Sequence, residues 1–88
     1  MKYIVVDDEP LARKRIIRLL DKIPEWNNIA EYSSGKAFIK DEKCVDADVV
    51  FLDIEMPELN GIEVAKYLNQ QYDQAPYIVY LTHSNSRE

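Results

Sequence analysis

An α/β fold built on an open parallel sheet is the class this sequence predicts, and three observations carry it. Short apolar runs at positions 3–6, 28–32, 49–52 and 77–81 alternate with stretches of helical periodicity. Such alternation implies parallel strands joined by right-handed crossovers. The strongest run, Val49-Val50-Phe51-Leu52, is continuously apolar, as expected of a strand covered on both faces.

Each element has a local reason. Tyr3-Ile4-Val5-Val6 reads as a buried first strand that stops at Asp7-Asp8-Glu9. Pro10 suits the first turn of a helix, where the amide it lacks would have no helical partner. From there Ala12, Ile16, Leu19, Leu20 and Ile23 recur as one apolar stripe, with Arg13, Lys14 and Arg18 off it, and Pro24 closes the helix. Residues 28–32 give a second strand, Ser33-Ser34-Gly35 a turn or cap, and residues 36–42 a short helix. The third strand runs into Asp53. After Met56-Pro57 a third helix begins, with Asn60 as its N-cap, Glu63 three residues on, and Ile62, Ala65 and Leu68 as its inner face. Tyr77-Ile78-Val79-Tyr80-Leu81 is the fourth strand and ends in Thr82. Trp26 reads as a partial plug of the core, and the six tyrosines as packing residues with polar tips.

Composition narrows the partners. The 88 residues amount to one domain at most, with 47% apolar and 31% charged residues, ordinary for a soluble globular protein. Eleven Lys and Arg against sixteen Asp and Glu give a net charge of −5, which argues against nucleic-acid binding by this segment. The same balance suits an acidic site that receives a metal ion. Cys44 is the single cysteine, so neither an intramolecular disulfide nor a CxxC metal site is available. No secretory leader is visible, and no apolar run approaches the roughly 18 residues of a membrane span. The expected location is the cytoplasm.

The chemistry gathers at the strand ends. In a parallel sheet the carboxyl ends of the strands share one edge, and ligands bind just beyond it. Three of the four predicted strands end there in oxygen-bearing side chains: Asp7-Asp8-Glu9, Asp53 and Thr82. Carboxylates crowded at one rim repel each other, and a hard cation such as magnesium relieves that repulsion. None of these strand ends carries a His or Cys nucleophile; the single histidine, His83, follows the fourth strand and reads as a loop residue. A carboxylate nucleophile beside Mg2+ fits aspartyl-phosphate chemistry, and Thr82 can donate a hydrogen bond to a phosphoryl oxygen.

At this point the motifs match a family. Ile4-Val5-Val6-Asp7-Asp8-Glu9-Pro10, Phe51-Leu52-Asp53-Ile54-Glu55-Met56-Pro57 with Asn60-Gly61, and Val79-Tyr80-Leu81-Thr82 together resemble response-regulator receiver domains of two-component signalling. The wording of the first and third segments is most similar to receivers of LytTR-type regulators. The resemblance implies a flavodoxin-like fold with strand order 2-1-3-4-5. It also implies that Asp53 accepts phosphate from the phosphohistidine of a sensor histidine kinase. Asp8 and Asp53 would coordinate Mg2+ directly with the backbone carbonyl of Glu55, and Asp7 would act through water. Thr82 would be the switch hydroxyl, and Pro57 and Gly61 would shape the loop after Asp53. The basic helical positions Arg13, Lys14, Arg15 and Arg18 read as a solvated face, with kinase docking as the alternative. The implied output domain is DNA-binding and lies outside these residues.

The chain also departs from that pattern. Receivers continue through a fourth helix, a fifth strand ending in lysine, and a fifth helix, so residues 1–88 are expected to be the N-terminal portion of a receiver domain. Ser84-Asn85-Ser86-Arg87-Glu88 would then open the fourth helix, and His83 would crowd the pocket where a small residue is usual. With the fifth strand and last helices missing, the fourth strand becomes an exposed edge and self-association is expected. Two other readings stay open: a pure interaction module, and a Mg2+-dependent Toprim-like phosphotransferase or nuclease, which Asp53-Ile54-Glu55 weakly imitates.

Overall fold

Strand and helix alternate from the first residues: β1 (Lys2–Val6), α1 (Pro10–Leu20), β2 (Asn27–Tyr32), α2 (Gly35–Lys40), β3 (Val49–Asp53), α3 (Gly61–Gln71) and β4 (Tyr77–Leu81). They are seen in a computed structural model that describes residues 1–41 and 46–82. The strands form one parallel sheet in the order β2-β1-β3-β4. This is the flavodoxin-like arrangement expected, and none of the described helices is long and apolar enough to cross a membrane.

The pleat of the two central strands sorts the core into two layers. Ile4 and Val6 of β1, with Val50 and Leu52 of β3, point to one face and pack with Phe38 of α2 and Val64, Ala65 and Leu68 of α3. Tyr3 and Val5, with Val49 and Phe51, point to the other and meet Ile16, Ile17 and Leu20 of α1 and Trp26. The continuous apolar reading of β3 follows from this, since alternate residues serve different layers. The layers are unequal. Two helices cover the first, whereas α1 covers the second and has no fully buried residue. An apolar groove of about 220 Å³ runs between α1 and β4, lined by Ile16, Leu19, Leu20, Phe51, Val79 and Leu81.

The helix ends follow local chemistry. Pro10 opens α1 as expected, and Ser34 caps α2 by accepting from the amide of Ala37. Asn60 and Glu63 form a reciprocal capping box on α3, satisfying two amides that the helix leaves over. Two expected faces are corrected. α1 ends at Leu20, three residues before Ile23, because the amides of Lys22 and Ile23 turn back to Leu19 and Leu20 in tighter i→i−3 bonds. Its inward face therefore runs through Ile16, Ile17 and Leu20, while Leu19 and Ile23 are 57% and 41% exposed. On α3 the inward positions are Val64, Ala65 and Leu68, and Ile62 is exposed. The expected end of α2 at Glu42, together with Cys44, lies outside the described residues.

Tyr3 is the largest fully buried side chain, held edge-on against Trp26 and Phe51 with ring centroids 6.0 and 5.7 Å away. Its hydroxyl is buried with no hydrogen-bond partner among the described residues. Burial, and then the carboxylates of Asp21 and Glu31, push its pKa above the usual tyrosine value. A raised folded pKa means the neutral phenol is favoured in the fold. Its contribution to stability is complete below about pH 10, where unfolded tyrosine titrates, and is lost as pH rises further. Tyr3→Phe removes both the stranded hydroxyl and the alkaline titration. We predict a melting temperature a few degrees higher at pH 7, from about 1 kcal/mol, and a shallower loss of stability above pH 10. Thermal melts from pH 7 to 11 check this; a variant that melts lower at pH 7 would contradict it.

Candidate functional site

Strand register places the acidic residues. β1 pairs with β3 such that Val6 faces Leu52, so the next residues, Asp7 and Asp53, leave the sheet side by side. The chain steps from β1 outward to β2 and then returns across β1 to β3. The gap between β1 and β3 is therefore the switch point at which ligands of open parallel sheets bind. Asp7 and Asp53 are fully buried, and Asp8 is exposed. One carboxylate oxygen from each of the three lies within 4.8 Å of the others.

The same small turn shapes both strand ends. The amide of Glu9 donates to Asp7 Oδ1 at 2.9 Å, and that of Glu55 donates to Asp53 Oδ1 at 3.1 Å. Each aspartate thus anchors its own loop two residues on, a turn for which Asp is well suited. The loop after β3 is short and tightly held. The amide of Gly61 donates to the carbonyl of Ile54 at 3.0 Å. A Cβ at Gly61 would fall inside the contact distance of the Asp53 carbonyl oxygen and 2.9 Å from Ile54 Cα, so only glycine lets α3 start this close to Asp53. Within the loop Met56 is buried, as expected of a packing residue, and Glu58 takes a left-handed backbone angle, φ 68°.

Thr82 emerges next to the acidic group. Asp53 is in register with Leu81, and the amide of Ile54 donates to the Leu81 carbonyl at 3.1 Å, so Thr82 comes one residue beyond on the same rim. It is exposed and lines a cleft of about 180 Å³ with Asp7, Ala12, Arg15, Ile16 and Leu81. The fold therefore brings together Asp7, Asp8, Asp53 and Thr82 from three strand ends, and sets the backbone of Glu55 in the same turn. His83 and the segment 84–88 lie outside the described residues.

The donor set fits a hard divalent cation. Three carboxylates converge on a rim with one side open to solvent, the all-oxygen, partly hydrated environment that suits magnesium. The cluster holds no His or Cys, which softer metals favour.

One residue of the site was misread from sequence. Arg13, placed among solvated basic positions, is only 16% exposed and pairs with Glu31 of β2 at 2.8 Å. Its other arm donates to the backbone carbonyl of Asp7 at 2.7 Å. The available signal was Arg13 lying one turn after the acidic motif, on the helix face that also carries Ile16, Ile17 and Leu20.

Comparison with known proteins agrees with this geometry. Residues 3–88 match the response regulator receiver domain family. The chain is 37% identical over 82 residues to the transcriptional regulatory protein BtsR of Salmonella typhi, covering 93% of this chain and 34% of that protein. It is 39% identical over 80 residues to a response regulatory protein of Vibrio cholerae, covering 90% and 30%. The chain thus spans about a third of the length of these relatives. Among solved structures, the isolated receiver domain of RcsB from Salmonella enterica serovar Typhimurium, in the presence of a beryllofluoride phosphomimetic, superposes with a TM-score of 0.83. It is 29% identical, covering 98% of this chain and 64% of that one. The receiver domain of the putative regulator NarL from Mycobacterium tuberculosis gives a TM-score of 0.83 at 27% identity, covering 98% and 68%. With its strand order, its acidic rim and its motifs in agreement, the chain belongs to the response regulator receiver domain family.

Proposed function

We propose that residues 1–88 serve as the acceptor-bearing part of a two-component receiver and take a phosphoryl group on Asp53. The observation that carries this is the buried Asp53 carboxylate at the end of β3, within 4.8 Å of Asp7 and Asp8. A carboxylate oxygen of Asp53 attacks phosphorus, the bond from phosphorus to the donor's histidine nitrogen breaks, and an acyl phosphate results. Such transfer depends on positioning and charge neutralisation. In this reading Asp8, Asp53 and the Glu55 carbonyl hold Mg2+ directly, and Asp7 acts through water. Bound there, the ion neutralises charge on the carboxylates and the phosphoryl oxygens. Thr82, on the same rim, then donates its hydroxyl to a phosphoryl oxygen, and this shift of a two-state equilibrium is what an output domain senses.

The partners follow as part of the same proposal. A sensor histidine kinase in the cytoplasm supplies the phosphoryl group, and a DNA-binding output domain reads it. BtsR is a transcriptional regulatory protein, and RcsB has been seen as dimers bound to DNA, which supports a transcriptional output. A LytTR-type output is the finer reading, and it rests on the wording of residues 4–10 and 79–82. The chain acts as a switch and not as an enzyme in this account; the family match favours signalling over a nuclease. A second reading, an interaction module, is favoured by one observation. Among the described residues β4 lies at the edge of the sheet and presents Tyr77 and Tyr80, 72% and 44% exposed, beside the apolar groove. Pairing of a second copy along that edge would satisfy its open backbone groups.

Two measurements test these proposals. Incubation with a small acyl phosphate and Mg2+ is expected to add one phosphoryl group to the wild type and none to Asp53→Ala, read by intact mass. Equal labelling of both proteins would place the acceptor elsewhere, and no labelling of either would leave only the interaction module. Native mass spectrometry across a concentration series is expected to show dimers that grow with concentration. A single monomer peak throughout would rule out pairing through β4.

A further inference from the structure

We infer that Arg13 is a positioning residue for the cation site, fixing the β1–α1 turn that presents Asp7 and Asp8. The inference rests on the cation-site reading above. Arg13 is the fourth residue of α1, and its guanidinium spans two elements. Nε donates to Glu31 Oε1 on β2 at 2.8 Å, and one terminal nitrogen donates to the Asp7 carbonyl at 2.7 Å. That carbonyl belongs to the peptide linking Asp7 to Asp8. Around it, the Asp7 amide donates to the Tyr32 carbonyl at 3.0 Å, and Asp7 Oδ1 accepts from Glu9. The exposed Asp8 therefore follows a residue held at both ends: β2 accepts from the Asp7 amide, in the preceding peptide, and Arg13 holds the Asp7 carbonyl, in the peptide that leads to Asp8.

The charge of Arg13 argues for this role. A guanidinium beside an acidic rim lowers the local negative potential, so by Coulomb's law alone it weakens cation binding. Its benefit to such a site is geometric: a planar fork can hold a carboxylate and a carbonyl at once, whereas an ammonium is a single point on a flexible stem. Groups that orient the ligands of a metal commonly change affinity by about tenfold or more when removed. Positioning and simple electrostatics thus predict opposite signs.

Calorimetric titration of Mg2+ into the wild type, Arg13→Met and Arg13→Lys, with a melt of each metal-free protein, separates them. Positioning predicts binding about tenfold weaker in both variants, with the metal-free proteins still folded. Tighter binding in Arg13→Met with unchanged binding in Arg13→Lys would overturn it in favour of plain electrostatics. Loss of folding in both variants would overturn it in favour of a purely structural role. A wild type that binds no Mg2+ would overturn the cation-site reading itself, and this inference with it.

Discussion

The in-register pairing of β1 with β3 is the constraint on which the rest depends. Because Val6 lies opposite Leu52, the two strands release Asp7 and Asp53 at the same level of the sheet. A slip of one residue would turn every side chain of one strand to the opposite face, exchanging the two core layers. The hydrophobic pattern that holds Ile4, Val6, Val50 and Leu52 against α2 and α3 is thus also what holds the carboxylates together. Packing enforces an arrangement that electrostatics opposes, since three carboxylates within 4.8 Å repel one another. The core is what makes this crowding sustainable, and it leaves the rim ready for a cation.

The same division runs through the sheet faces. The layer beneath α2 and α3 contains most of the buried apolar residues, including Phe38, Val64 and Leu68, and fixes the loop after Asp53 through Gly61 and the capping box of Asn60. The layer beneath α1 is thinner and relies on the cluster of Tyr3, Trp26 and Phe51. Asp53 follows Val49 and Phe51 at two-residue steps along β3, so it lies on the face covered by α1, the same face as the apolar groove between α1 and β4.

Much of this was legible in the sequence, for identifiable reasons. Continuous β-branched runs ending in Asp located β1 and β3, and a proline and a capping pair located the starts of α1 and α3. Site composition was legible because strand ends of a parallel sheet converge by topology alone. Helix phase was not. Leu19 and Ile62 sit at periodic positions yet face outward, because the half-buried stripe of a short helix is wide enough to fit more than one phase. Arg13 was misjudged for a related reason: its charge marks it for solvent, and only the tertiary approach of Glu31 and the Asp7 carbonyl draws it in.

The central claim is that the β1 and β3 carboxylates form one cation site whose repulsion a divalent ion relieves. Thermal melting of the wild type and Asp53→Asn, with Mg2+ and with a monovalent salt at equal ionic strength, tests it most directly. At about ten times the dissociation constant the ion adds about 1.4 kcal/mol, a rise of several degrees for a protein this size. The account predicts that rise for the wild type and little of it for Asp53→Asn. No rise, or the same rise in both proteins, would contradict it.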